Sequence, residues 1–451
     1  MTKNKHRPLE GNVRDAALSI LIAIEKKQAY SNVLLHKTIE SYQLQPKDRA
    51  LLTELTYGTI QHQMTLDYYL SPFIRGKLEG WVRCLLRLSL YQIHYLTKIP
   101  PHAAVHEAVE IAKRHGHKGI AATVNGILRS ILRQGVASLE VIDDPIEQLA
   151  IATSHPQWLV ARWVNMYGVE KAKAMLEENN VTPKQTVRVN TLKATREEVV
   201  ERLREEGVRV KQSPYIEECL YIENGQATRT KVFQEGYITI QDESSMIPAT
   251  VLQPKPHMYV LDMCAAPGGK TTHLAQKMNN EGRVIATDLH ANKLKLIEEN
   301  KERLGLSIIE TKAMDGRQLA TEYAEQTFDA ILVDAPCSGL GVIRRKPDIK
   351  YTKREEDFEV LQTIQLELLQ SAVPLLKEGG TLIYSTCTVD QVENNETVQL
   401  FLQKNPNINL EPMTNLAPLL QQYEQSGTMQ IFPQDIGSDG FFVANFIKRG
   451  V

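Results

Sequence analysis

The sequence predicts a multidomain protein: an all-α bundle, a small α+β module and a doubly wound α/β domain with a mostly parallel sheet. Three observations carry this. Apolar residues recur at helical spacing through residues 12 to 134. From Thr186 short alternating strand runs flank one capped helix. From residue 245 onward apolar strand runs alternate with helices, and a Gly-rich turn opens the series. The expected divisions are residues 1–140, 141–245 and 246–451.

In the first part Val13, Ala16, Ala17, Ile20, Leu21 and Ile24 line one helical face. Ser31 is expected to cap a helix running through Ile39. Pro46 opens the next at its first turn, to about His62. Trp81 to Leu96 is apolar on nearly every face and should be the buried central helix. Pro100 and Pro101 break the chain, Ala103 to Arg114 resumes it, and Val124 to Leu132 closes the set. Residues 141–185 read as helical linker; His155, before Pro156, is expected to cap or pack. Strands follow at Val187–Asn190, Val208–Val210, Leu220–Ile222 and Tyr237–Ile240, with a capped helix from Thr195 to Glu206. This module could be an RNA-recognition-like fold, but it lacks the aromatic stacking signature; a packing wedge is the competing reading.

The α/β part should carry strands at Tyr259–Asp262, Arg283–Thr287, Ser307–Thr311, Ala330–Val333 and Thr381–Tyr384. Met429–Phe432 and Phe441–Ile447 should close it as an antiparallel hairpin.

No apolar run reaches the ~18 residues a membrane span needs. The N-terminus, Met1 to Arg14, has no apolar core of a secretion signal. Five cysteines without a C-x-x-C pair argue against zinc and against a disulfide framework, and fit a reducing cytoplasm. The net charge of −2 hides an asymmetry: residues 1–140 hold 19 Lys+Arg against 11 Asp+Glu, a balance of +8. A basic module on an acidic body suggests a polyanionic partner, most simply nucleic acid.

The first strand runs into Asp262-Met263-Cys264-Ala265-Ala266-Pro267-Gly268-Gly269-Lys270. A strand, a Gly turn and a helix form a seat for a nucleotide-like ligand. A phosphate-binding P-loop fails on spacing, since its first Gly would fall on Cys264. Asp288, at the end of the second strand, stands where a carboxylate accepts from a ribose. Asp315 follows the third strand, within reach of an adenine edge. These residues fit S-adenosylmethionine (SAM).

The fourth strand ends Asp334-Ala335-Pro336-Cys337-Ser338-Gly339, and the fifth ends Thr386-Cys387-Thr388. Amino-group methyltransferases place Asp/Asn-Pro-Pro-aromatic at the fourth strand; a cysteine there suits carbon 5 of a pyrimidine. In a doubly wound sheet both strand ends open into the crevice that holds the Gly turn. Cys264 is expected to pack or lend backbone, Cys84 to be core, and Cys219 has no assignment. Arg344, Arg345 and Lys346, just after the Pro-Cys loop, are candidates for phosphate contacts.

The three motifs together resemble the RNA cytosine-C5 methyltransferases. The Val124-Asn125-Gly126-Ile127-Leu128-Arg129 stretch resembles the NusB-type RNA-binding domain. With both, the chain resembles the RsmB (Sun/Fmu) family of bacterial 16S ribosomal RNA enzymes over essentially its whole length, and the resemblance implies a Rossmann-like catalytic domain. It implies SAM contacts at Cys264, Ala265, Ala266, Pro267, Gly268, Gly269, Lys270, Asp288, Asp315 and Asp334. It implies Cys387 as nucleophile, Cys337 as helper in breaking the adduct, Asp334 at the base edge, and 16S rRNA as the partner. Lys270 would contact the base or cap the turn. No metal is expected, and a monomer is. Two other classes stay open: a non-catalytic RNA-binding or antitermination factor, and a cytosine-C5 enzyme acting on DNA or another RNA.

Overall fold

The computed structural model describes residues 12–27, 31–42 and 44–450. The start of the basic N-terminal segment lies outside them. The chain divides into two compact units, one containing the described residues up to Val181 together with Ile343–Thr352, the other containing Thr182–Val342 and Lys353 onward.

The first unit is all-helical: α1 Val13–Lys27, α2 Ser31–Tyr42, α3 Pro46–Gln61, α4 Gln63–Leu70, α5 Gly80–Tyr95, α6 Pro101–His115, α7 Lys118–Gln134, α8 Pro145–Thr153, α9 Gln157–Tyr167 and α10 Val169–Glu178. Pro46 does occupy the first turn of α3, and α5 is buried along most of its length, as its sequence requires. Leu52, Leu55, Leu85, Leu88, Val124 and Leu128 meet in one apolar core.

Two details differ from expectation. Ser31 is the first helical residue of α2, and its hydroxyl donates to the Asp348 carboxylate instead of capping. Helix α7 starts at Lys118, where the His117 ring accepts from Gly119 N, rather than at Val124. His155 is wholly buried and packs, its Nδ1 2.8 Å from the Thr153 carbonyl. Cys84 is core, with Sγ 2.8 Å from a Glu25 carboxylate oxygen.

The second unit holds two sheets. The smaller has strands β1 Gln185–Val189, β2 Arg209–Gln212, β3 Cys219–Asn224 and β4 Ile238–Ile240 in the order β2-β3-β1-β4. All its pairings are antiparallel. Helix α11, Arg196–Glu205, starts at a capping box made by Thr195 and Glu198, and a short α12, Lys231–Gln234, precedes β4.

The larger sheet begins after α13, Ile247–Leu252, and runs β5 Tyr259–Asp262, α14 Gly269–Lys277, β6 Arg283–Asp288, α15 Ala291–Leu304, β7 Ile309–Ala313 and β8 Phe328–Asp334. The short α16, Ile349–Thr352, belongs to the first unit. Helix α17, Glu356–Leu375, then leads into β9, Leu376–Thr386. After these come α18 Thr397–Lys404, β10 Ile408–Leu410, α19 Pro418–Gln421, β11 Glu424–Gln425, β12 Thr428–Ile431, α20 Pro433–Ile436 and β13 Phe441–Lys448. The strand order is β11-β12-β13-β9-β8-β5-β6-β7, with β10 on β13. Strands β9, β8, β5, β6 and β7 are parallel. The terminal hairpin of β12 and β13 adds antiparallel to β9, as its Gly-separated apolar runs suggest.

Val260, Leu261, Ile331, Leu332, Leu382 and Ile383 are fully buried, because helices cover both faces of the parallel strands. Such a sheet presents the carboxyl ends of β5, β6, β8 and β9 along one crevice.

Candidate functional site

The Gly turn after β5 is built by local bonds. Ala265 N donates to Thr287 O at 2.8 Å and Gly268 N to Ala265 O at 2.7 Å. Gly268 has φ +98°, and an added Cβ would lie 3.1 Å from Ile297 of α15, so a side chain is disfavoured on both counts. Beneath it Asp262 is buried, accepting from Thr271 Oγ1 at 2.7 Å. Arg188, reaching from β1, is also buried and donates to Gly269 O at 2.8 Å and Thr272 Oγ1 at 3.0 Å. The small module therefore braces the turn from below.

Asp288 closes β6 with one oxygen accepting from Ala266 N (3.3 Å) and the other from His290 N (2.9 Å). Asp315 follows β7, caps the turn Gly316–Thr321, and is gripped by Arg317 through Nε at 3.0 Å and NH2 at 2.7 Å. The Arg317 hydrogen bonds hold its carboxyl below the usual carboxylate range. Both acids stand at strand ends with carboxylate oxygens able to accept from a ribose diol or an adenine amine, and backbone N–H groups of the turn lie beside Asp288. That donor and acceptor set fits SAM. Cys264 is half-buried in the turn and packs against the apolar core of the sheet, and burial pushes its thiol well up.

Asp334 ends β8. Its Oδ2 accepts from Lys270 Nζ at 2.7 Å and its Oδ1 from Ser385 Oγ at 2.8 Å. Burial works against the Lys270 ammonium, but the Asp334 carboxylate outweighs it and raises the lysine pKa. Lys270 thus caps nothing; it holds a charged pair at the crevice, with its ammonium 5.0 Å over the Phe441 ring.

Cys337 and Cys387 meet, their sulfurs 3.3 Å apart. The hydrogen bond with Cys387 raises the Cys337 pKa well above that of a free thiol, and burial adds to it. The adjoining loops interlock. Gly341 N donates to Cys387 O at 2.9 Å and Gly440 N to Gly341 O at 2.8 Å, leaving no room for a Cβ at Gly341. Ser338 Oγ and Thr388 Oγ1 are 2.7 Å apart.

The structure thus gathers the turn, Asp288, Asp334, Lys270, Cys337 and Cys387 within the second unit. It corrects one expectation. Arg344 does not present its guanidinium to a phosphate: it is 5% exposed in the first unit, and NH1 donates to Glu178 Oε1 at 2.7 Å. Arg345 is half-buried and Lys346 exposed. Sequence reasoning missed Ser385, and it missed Glu393, Asn394 and Gln365 behind the cysteine loops. The Glu393-Asn394-Asn395-Glu396 run was the available signal, a polar cluster beginning six positions after the second cysteine.

Among the described residues no helix is long and apolar enough to cross a membrane, and no cluster of His, Cys, Asp or Glu is arranged to hold a metal.

Comparisons with known proteins place these parts. Residues 249–447 match the model of the 16S rRNA methyltransferase RsmB/F family, 11–133 the NusB family, and 155–229 the ferredoxin-like domain of RsmF/B-like methyltransferases. A probable ribosomal RNA small subunit methyltransferase B of Bacillus subtilis is 50% identical over 97% of this chain and 99% of its own. The ribosomal RNA small subunit methyltransferase B of Yersinia pseudotuberculosis is 36% identical over 96% of this chain and 98% of its own. Among solved structures, that of PH0851 superposes with a TM-score of 0.82 at 28% identity, covering 97% of this chain and 98% of that one. NSun6 from Pyrococcus horikoshii, crystallised with the SAM analogue SFG, gives 0.59 at 26% identity, covering 66% of this chain and 99% of that one.

Proposed function

The chain belongs to the 16S rRNA methyltransferase RsmB/F family, and from that premise we propose that it methylates carbon 5 of a cytosine in 16S rRNA through a covalent Cys387–C6 intermediate. It is a SAM-dependent methyltransferase. The observation that carries the finer reading is the pair of cysteine sulfurs 3.3 Å apart beside the Lys270–Asp334 pair.

Asp288 and Asp315 hold the cofactor's ribose and adenine, and the turn from Cys264 to Gly269 holds its methionine part. Bound there, SAM supplies an electrophilic methyl group. Carbon 5 of cytosine is not nucleophilic by itself. The Cys387 thiolate gives its electron pair to C6, which makes C5 enamine-like and able to take the methyl. Asp334 holds the N3/N4 edge, and its bond from the Lys270 ammonium keeps it placed. Elimination then needs a base to take the C5 proton while the S–C6 bond breaks and returns its pair to Cys387.

Cys337 has the timing for that base. Beside a Cys387 thiolate it keeps its proton and donates it as a hydrogen bond. Once Cys387 sulfur is bonded to carbon its charge is gone, and the main cause of the raised Cys337 pKa goes with it. The helper thus becomes easier to ionise only after attack.

The target base must leave its stack, at a cost of a few kcal/mol, which favours unpaired RNA. The basic helical unit docks phosphates, and the protein acts as a cytoplasmic monomer on naked RNA or a partly assembled small subunit. Labelled SAM, 16S rRNA and a denaturing gel test this. Cys387→Ala should be inactive and form no adduct; Cys337→Ala should attack and methylate, then stall as protein–RNA adduct. Adduct with Cys387→Ala and none with Cys337→Ala would mean a DNA-type assignment of the two roles. Full activity in both would refute covalent catalysis.

A further inference from the structure

Behind the two cysteines lies a group of buried polar side chains that touches no part of the crevice chemistry. It centres on a single π-helical turn, Val392–Glu396, between β9 and α18. Such wider turns bring successive residues closer to one face, and here Glu393 and Asn394 both point inward, 0% and 1% exposed. Tyr384 of β9 pins the turn, its hydroxyl donating to Glu393 O at 2.6 Å.

Each of these neighbours attends to a different cysteine. Asn394 brackets Cys387: its Oδ1 accepts from Thr386 Oγ1 at 2.6 Å and its Nδ2 donates to Thr388 O at 3.1 Å. Glu393 and Gln365 bracket Cys337 in the same way. Glu393 Oε2 accepts from Ser338 N at 2.8 Å, and Gln365 Nε2 donates to Pro336 O at 3.0 Å and to Glu393 Oε2 at 3.0 Å. Both residues flanking Cys387 and the residue after Cys337 are therefore held from this one turn, and the residue before Cys337 is held by Gln365 of α17, which is itself bonded to Glu393.

We propose that Glu393 and Asn394 are positioning residues that set the two cysteines independently, Asn394 governing attack by Cys387 and Glu393 governing release through Cys337. This rests on the covalent reading above. The need for such a device follows from the reaction. A thiolate must meet C6 and its neighbour must meet the C5 proton, and misplacement of about 1 Å can cost a hundredfold in rate. Loops joined only to each other would move together; a common turn gripping both fixes each against the sheet. Glu393 suits holding rather than proton transfer to the crevice. Burial pushes its carboxyl up toward the neutral form, and Oε1 has no hydrogen-bond partner among the described residues.

The test uses the full-length protein, transcribed 16S rRNA and labelled SAM under single-turnover conditions, with Cys387→Ala and Cys337→Ala alongside. Asn394→Ala should slow adduct formation about tenfold or more without adduct accumulating. Glu393→Ala should form adduct at nearly the parent rate and release it about tenfold more slowly, so adduct builds up. Glu393→Gln keeps an oxygen for Ser338 N–H and should restore release to within about threefold of the parent. SAM affinity by calorimetry should stay within about twofold throughout, which separates a misplaced cysteine from a misfolded domain. Should Asn394→Ala fail that check, Asn394→Asp keeps the Thr386 contact, loses the Thr388 one, and should slow attack selectively. If the cysteine variants split as expected but Asn394→Ala and Glu393→Ala slow both steps alike, the positioning assignment is wrong and the covalent reading stands. If Glu393→Gln stalls like Glu393→Ala, Glu393 moves a proton and is not a positioning residue. If neither cysteine variant loses activity, both readings fall.

Discussion

Asp262 gives the most quantitative prediction. It is 1% exposed at the end of β5, with Oδ2 bonded to Thr271 and Oδ1 unpartnered among the described residues. Burial is the main cause that pushes its carboxyl up to about 7, and the Asp334 charge adds to it. An acid whose pKa is raised by folding stays protonated in the folded chain after the unfolded chain has lost its proton. Stability is then highest below the unfolded value, falls as pH climbs from about 4 to 7, and is level above. A rise of about 3 pH units corresponds to ~4 kcal/mol of destabilisation above pH 7. Asp262→Asn removes the titration. At low pH it should cost roughly 1–2 kcal/mol, because the amide N–H groups find no acceptor. The two proteins should therefore be about equally stable near pH 5, and the variant should be ~3 kcal/mol the more stable at pH 8. Urea unfolding followed by circular dichroism at the two pH values measures this. An unchanged stability difference between pH 5 and 8 would refute the argument.

Three further outcomes are expected. Asp288→Ala should weaken SAM binding by about ten- to a hundredfold, the value of a hydrogen-bond partner that carries charge; unchanged affinity by calorimetry removes the ribose assignment. Lys118, Arg129 and Arg133 are exposed along one face of α7, and changing each to Glu should weaken rRNA binding and reduce the salt slope by about one per residue; a filter-binding salt titration with an unchanged slope leaves that face without an RNA role. Arg344→Ala strips Glu178 of its buried partner and should destabilise the first unit by roughly 2–4 kcal/mol while leaving the RNA salt slope as it was; a lower slope with full stability would return Arg344 to the phosphate contacts.

Much of this site was legible because its parts are local. A strand, then Asp262, then Pro267-Gly268-Gly269 spells a turn in any context, and the rule that crevices form at the carboxyl ends of parallel strands brings Cys337 and Cys387 together without knowledge of their contacts. What was not legible depends on partners far along the chain. Arg344-Arg345-Lys346 reads as a solvated basic run, the ordinary fate of adjacent charges. Nothing near it announces Glu178, 166 positions away, or that Ile343–Thr352 belongs with the helical unit. The same segment buries Lys350 completely, its Nζ donating to the Gln61 carbonyl at 2.7 Å. Ser31 shows the converse error. Its type and place favour a cap, yet the buried Asp348 carboxylate claims the hydroxyl, because a buried charge left without donors costs more than an unmade cap. The π-helical turn is harder still to foresee. Glu393 and Asn394 sit next to each other, and an α-helix would turn such neighbours about 100° apart. Both are nevertheless buried, and their partners Ser338, Thr386 and Thr388 lie on other segments that no local pattern around Glu393 and Asn394 names.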